Sequence, residues 1–223
     1  MTSETHPRRR LAPEVRRQQV LDAAVAVFSE EGFHGASMDA VAARAGVSKP
    51  LVYAHGGSKE ELFAACLHRE AERLLRSVES AAGAADDEPL ERLRRALRAF
   101  FHALTTRQAG WTVLWRQAST GPFAGEVDAL RRQIVDQAAD LMAGGLGVPR
   151  AVAQPYAHTL VGAAEGLADW WLTGDPDVGD GDPADVLADM LVTVVGPGLD
   201  GLTGRTGLAG GTIASSAGVS GER

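Results

Sequence analysis

Apolar residues along this chain recur three and four positions apart, and no stretch of β-branched residues alternates with polar ones between turn signals. That is the period of a helix with one buried face, so the reading is an all-α fold of about nine helices with no sheet. The first helix, about residues 14–31, buries Val20, Leu21, Ala24, Val27 and Phe28 and ends at Gly32. Two very short helices follow. One starts after Ser37, carries Met38, Val41, Ala42 and Ala45, and stops at Gly46; the next starts at Ser48. "SKEE", Ser58 to Glu61, has the pattern of a capping box and opens a long fourth helix to about Ala82.

Beyond the linker "GAADDEPLE", Pro89 suits a first helical position, and Leu90, Leu93, Leu97, Phe100, Phe101 and Leu104 form the stripe of the helix it starts. A shorter helix holds Trp111, Val113, Leu114 and Trp115, and another runs from Pro122 to the break "GGLGVP". The last two are about residues 155–172, starting at Pro155, and about residues 183–195. From Gly196 the composition turns to Gly, Ser, Thr and Ala, which bury too little to hold a chain in order. Four parts are thus expected: a basic flexible arm (1–13), a small three-helix domain (14–60), a larger helical domain (61–196) and a disordered tail (197–223).

With 223 residues and 45 % apolar content the chain can bury a core. Its single cysteine, Cys66, excludes an internal disulfide and a cysteine-rich metal site. No apolar run approaches the roughly 18 residues of a membrane span and no signal-peptide pattern follows the N-terminal arginines, so a cytoplasmic protein without a membrane partner is expected. A net charge of −7 excludes a protein that coats nucleic acid by bulk charge. The charge is lopsided, however. Residues 1–61 carry eight Lys and Arg against eight Asp and Glu, which leaves all seven surplus negative charges to residues 62–223. Arg8, Arg9, Arg10, Arg16 and Arg17 face only Glu14, so a basic arm stands ahead of a neutral small domain and an acidic larger one.

Within the neutral part, "AVAARAGVSKPLVY" reads as two short helices joined by a glycine turn, the pattern of a helix-turn-helix whose second helix enters the major groove of DNA. Gly46 can take the left-handed conformation that closes the first helix, and Val47 and Val52 face the small core. Lys49, Pro50, Leu51, Tyr53 and Ala54 are left near the open face. The helix start offers backbone donors to phosphate, Lys49 and Lys59 add charge, and Tyr53 and His55 add hydrogen bonds.

The stretches "VLDAAVAVFSEEGF" and "ASMDAVAARAGVSKPLVYAHGGSKEELF", within about residues 14–63, resemble in order and spacing the N-terminal three-helix domain, and the start of the fourth helix, of TetR-family transcriptional regulators. The resemblance implies that Ser37 and Ser48 cap the two short helices and contact phosphate, that Lys49 to Ala54 is the recognition helix, and that Tyr53, His55 and Lys59 grip the DNA backbone. It also implies a homodimer held by the last two helices, which sets two recognition helices about 34–36 Å apart over a palindromic operator. A small-molecule effector in the larger domain, and repression rather than activation, follow from the family's habit. At Gly56 the sequence departs from the family, which carries an aromatic there. The small core is therefore expected to lack or to replace the packing of that ring, and the third helix to end earlier and more loosely.

All four tryptophans lie in the larger domain. The candidate effector pocket is Phe100, Trp111, Trp115, Phe123, Met142, His158, Glu165 and Trp170, an apolar set with a few polar groups, although each of these also suits plain core or interface. His158, Glu165 and Asp169 share a helical face, but no further ligands can be named, so no metal is assigned and no cofactor is called for. There is no Gly-x-Ser-x-Gly, no phosphate loop and no dinucleotide fingerprint, and an enzyme is not expected. Two alternatives remain: a non-responsive DNA-binding protein of the same fold, and a helical enzyme using His102 or His158 with a nearby acid.

Overall fold

The helical period is carried into structure throughout the described residues. The computed structural model describes residues 12–83, 88–113, 118, 122–174 and 177–209, and among them are nine helices and no strand. The helices are α1 (Pro13–Gly35), α2 (Met38–Ala45), α3 (Lys49–Gly56), α4 (Lys59–Ala82), α5 (Pro89–Thr106), α6 (Gln108–Trp111), α7 (Ala124–Leu146), α8 (Arg150–Gly174) and α9 (Pro183–Ala209). The arginines of the basic arm at 8–10, residues 84–87 of the linker, Trp115 and the tail beyond 209 lie outside the described residues.

The chain forms two compact units, Met1–Arg76 with Ala103–Arg131 and Ser77–His102 with Arg132–Arg223. A division at residue 60 would cut through the first unit's core. The start of α4 supplies Leu62, Phe63, Cys66, Leu67 and Ala71, none more than 1 % exposed, to the same cluster as Val20, Leu21, Ala24, Val27 and Phe28 of α1. Rings knit this cluster. Phe63 meets Phe28 edge-on at 4.9 Å and Phe33 at 5.1 Å, and Phe123 lies 4.8 Å from Phe33 and 4.6 Å from Phe63. Gly32, with φ 73°, breaks the helical path of α1 at the position its sequence marks as the end, and the last turn beyond it carries Phe33.

Charge is buried here too. Arg69 and Glu70 of α4 are paired at 2.8 Å, Arg69 also reaches Asp22 of α1 at 2.9 Å, and Arg73 bonds Glu70 at 3.0 Å. The Gly110 backbone of α6 packs so closely on Glu70 that a side chain there would sit 2.7 Å from its carboxylate. Burial pushes the Cys66 thiol up to about 12, and its Sγ donates to the Leu21 carbonyl, so this cysteine is an inert core residue.

In the second unit small side chains fill the contact between α7 and α8. Val135, Ala139 and Ala157 form one buried cluster between α7 and α8, and α9 contributes buried Ala184, Leu187, Ala188 and Leu191. Arg150 at the start of α8 clamps Asp136 (2.7 Å) and Asp140 (2.6 Å) of α7. Arg94 and Arg98 of α5 pair with Asp189 and Asp185 of α9.

Two helix ends differ from the sequence reading. α8 starts at Arg150, five residues before Pro155, and α9 continues through Pro197 to Ala209, where disorder was expected from 197. In both cases the proline is exposed, and so is the residue four positions earlier, Ala151 or Thr193, whose carbonyl loses its helical donor. A surface carbonyl is the cheapest one to leave without a helical partner. Buried Ala153 and Leu199 give each helix a packing reason to extend past its proline.

Candidate nucleic-acid interface

The turn between α2 and α3 is tightly determined. Ser37, in extended conformation, accepts the Ala40 N–H at 3.0 Å and caps α2. Gly46 closes α2 in the left-handed region at φ 64°, and the Val47 N–H returns to the Ala42 carbonyl at 3.0 Å. Gln19 of α1 adds a hydrogen bond to the Ala45 carbonyl at 2.7 Å. α3 is then held by Val52, its one buried residue, 0 % exposed.

Ser48 stands at the N-terminal boundary of α3, but its hydroxyl makes no capping bond, contrary to expectation. The reason is local. Pro50 has no N–H to offer, and the Leu51 N–H is taken by the Ser48 carbonyl at 2.9 Å.

Of the residues expected on the open face, Lys49, Pro50, Tyr53 and Ala54 are exposed, with Tyr53 at 47 %, whereas Leu51 is half-buried. His55 is half-buried as well. Lys49 is engaged: its Nζ lies 2.8 Å from Asp39 Oδ2 of α2, and the hydrogen bond and charge of that carboxylate hold the ammonium above its usual range. Lys59 turns to the fold. Its Nζ donates to the Ala36 carbonyl at 2.8 Å and the His34 carbonyl at 3.3 Å, and it lies 4.8 Å above the Phe33 ring, where it closes the C-terminal end of α1. Arg44 of α2 is bound through both guanidinium nitrogens to Glu30 of α1.

The departure at Gly56 has a different consequence from the one expected. α3 does not end early: it reaches Gly56, and Gly57, at φ 70°, donates to the Tyr53 carbonyl. A Cβ on Gly56 would lie 2.8 Å from Cδ1 of Leu62, a fully buried side chain that occupies the space beside it. The capping box is formed as read, with the Glu61 N–H on Ser58 Oγ at 3.1 Å and the Ser58 N–H on Glu61 Oε2 at 2.7 Å.

The candidate effector residues are divided between the two units, and Trp115 lies outside the described residues. Trp111 is buried in α6, and Phe123 belongs to the ring cluster of the first unit. Phe100, Met142, His158, Glu165 and Trp170 fall in the second unit. There Glu165 is buried, Phe100 and Met142 are half-buried, and His158 and Trp170 are exposed. Among the described residues no group of three or more His, Cys, Asp or Glu side chains could hold a metal ion, and no helix is long and apolar enough to cross a membrane. Sequence reasoning missed Asp39, Glu30 and the Asp22–Arg69–Glu70–Arg73 network. "HREAER", with acid and base adjacent and three apart inside an apolar run, was the signal for the last of these; Asp39 and Lys49, ten positions apart, gave none.

Known proteins share both the sequence pattern and the fold. The family model for bacterial regulatory proteins, tetR family, matches residues 20–66, and that for the tetracyclin repressor-like C-terminal domain matches residues 89–195. The HTH-type transcriptional activator FasR of Mycolicibacterium smegmatis is 34 % identical over 168 residues, covering 74 % of this chain and 76 % of its own length. The crystal structure of a TetR-like transcriptional regulator from Rhodococcus sp. RHA1 is 41 % identical, with a TM-score of 0.69, covering 86 % of this chain and all of that one. AibR, solved in complex with isovaleryl coenzyme A and operator DNA, shares the fold at 23 % identity and a TM-score of 0.60, covering 80 % of this chain and 97 % of that one.

Proposed function

The chain belongs to the TetR family of transcriptional regulators, and on that premise we propose that it binds a palindromic operator as a homodimer through α3 and that a small molecule bound in the second unit changes its DNA affinity. The observation that carries this reading is the presentation of α3: one buried valine and a left-handed glycine fix a helix whose Pro50, Tyr53 and Ala54 are open to a partner. Ser37 and Tyr53 are proposed to contact phosphate, with the half-buried His55 beside them. Lys59 is proposed to act indirectly, by fixing the start of α4 against α1.

Dimerisation through α8 and α9 is supported by exposed apolar side chains, Trp170 at 49 %, Met190 at 46 % and Val194 at 76 %. Gly162, Gly166 and Trp170 are spaced four apart along α8, and a Cβ built on either glycine meets nothing within 4 Å, so this face has room for the close approach of a twin helix.

The effector reading rests on composition in the second unit, where Phe100, Met142 and Glu165 remain candidates, and on AibR, a relative in fold that was crystallised with both an acyl-coenzyme A and operator DNA. An effector acts only through its different affinity for the two conformations; a hundredfold loss of operator affinity needs about 2.7 kcal/mol of coupling. FasR is named an activator, so the sense of regulation is left to the position of the operator. The protein is proposed to act by binding, without turnover, in the cytoplasm. Selection of bound sequences from random duplex DNA, followed by a screen for small molecules that alter the binding, tests the reading. A palindrome with two equal half-sites is expected, and failure to enrich any duplex at low ionic strength overturns it.

A further inference from the structure

We infer, on the reading of α3 as the DNA-contacting helix, that it selects its half-site by apolar contact of Pro50 and Ala54 with thymine methyl groups, while its only lysine stays committed to Asp39. Hydrogen-bond reading in the major groove relies on Arg or Lys for guanine, Asn or Gln for adenine, and Asp or Glu for cytosine. α3, with the sequence KPLVYAHG, holds none of these except Lys49. That lysine is 2.8 Å from Asp39. Drawing it away to a guanine uncovers an exposed carboxylate beside the phosphates, so the move forfeits an ion pair and adds a repulsion. Asp39 in turn is favoured where it is, in the first turn of α2. Arg44, the nearest basic side chain on α2, is occupied by both oxygens of Glu30.

What α3 does present is apolar. Pro50 and Ala54 are four residues apart, hence on one face, and both are exposed; Tyr53 flanks them with its ring half open. Tyr53 has a single hydroxyl, which serves phosphate as readily as a base and cannot make a bidentate contact. His55 lies half-buried, about 100° around the helix from the exposed face that Pro50 and Ala54 share. The major-groove edge offers one apolar group, the C5-methyl of thymine, and this face of α3 is complementary to it.

The test uses the unaltered full-length protein and the duplex it selects. Each thymine under α3 is replaced by deoxyuridine, which removes the methyl and leaves every hydrogen-bonding group in place. Affinity is expected to fall about fourfold for each methyl that is buried. The paired substitution Asp39→Asn with Lys49→Met, its fold checked by circular dichroism, is expected to keep the same ranking of sites. A selected operator indifferent to deoxyuridine at every position, or a guanine preference that disappears in the paired variant, overturns the inference and leaves DNA binding by α3 standing. Failure to select any duplex overturns both.

Discussion

The two units differ in what interlocks at their helix contacts. Around α1 and α4 four rings, Phe28, Phe33, Phe63 and Phe123, interlock within an aliphatic core, with a buried ionic network beside them. Around α7, α8 and α9 alanines share the core with aliphatic side chains, Ala139, Ala153, Ala157, Ala164, Ala168, Ala184 and Ala188 beside Leu160, Leu187 and Leu191, and the ion pairs of Arg94 and Arg150 are on the surface. Interlocked rings have few alternative packings, so the first arrangement fixes the position of α3. Alanine faces let helices approach closely, and one small side chain can slide past another at little cost in dispersion energy. A reading head gains from the first kind of core, and a body that responds to a small molecule from the second.

The largest effect is expected at Phe63. Phe63→Ala removes the ring common to three aromatic contacts and should cost about 3–5 kcal/mol, measured by urea unfolding. Ala157→Gly in the second unit should cost about 1 kcal/mol, mostly helix propensity. Equal losses would remove the contrast between the cores.

Next comes the ionic network. Glu70→Gln keeps the shape of the side chain but leaves Arg69 and Arg73 without their common carboxylate, and about 3 kcal/mol is expected, at the low end for a broken buried pair because Arg69 retains Asp22. Arg98→Ala, which breaks an exposed pair with Asp185, should stay below about 1 kcal/mol. Chemical denaturation of the two variants side by side decides whether charge is structural in one unit and incidental in the other.

A smaller effect belongs to Gly56. Introducing the aromatic that the family carries there, Gly56→Phe, forces a ring toward fully buried Leu62 and should cost about 1–3 kcal/mol. Pairing it with Leu62→Ala should recover part of that loss, because the deleted side chain vacates the space; no recovery would mean that Leu62 is not what fills the position.

Legibility followed the range of the interactions. Helix number, the capping box at Ser58 and Glu61 and the Gly46 turn depend on residues within four positions of each other, and all were readable. Long-range partners were not. Lys49 and Lys59 look alike in the sequence, as basic residues near a short helix, yet one meets a carboxylate ten positions back and the other the end of α1 more than twenty positions back. Pro155 reads as a helix start because a proline lacks a donor; what carries α8 past it is the packing of Ala153 and the hold of Arg150 on α7, neither of which shows in local spacing.

The smallest effect, and the sharpest on the second unit, is one of pH. Asp136 of α7 accepts hydrogen bonds from Gln154 and Arg150 of α8, and these hold its carboxyl below the usual range. A carboxyl lowered on folding contributes stability that is present above its unfolded value, near 3.9, and is lost as pH falls through the folded one. Arg150→Ala should therefore leave stability at neutral pH almost unchanged, since the group is exposed, and make the decline in acid shallower. Gln154, the larger contributor, keeps part of that dependence, and adding Gln154→Leu should flatten it further. Thermal unfolding followed from neutral pH to about pH 3 reads both changes. A loss at neutral pH as large as that of Glu70→Gln would mean that the alanine-rich unit depends on its surface clamp as much as the ring-filled unit depends on its buried one, and the contrast between them would be one of residue size alone.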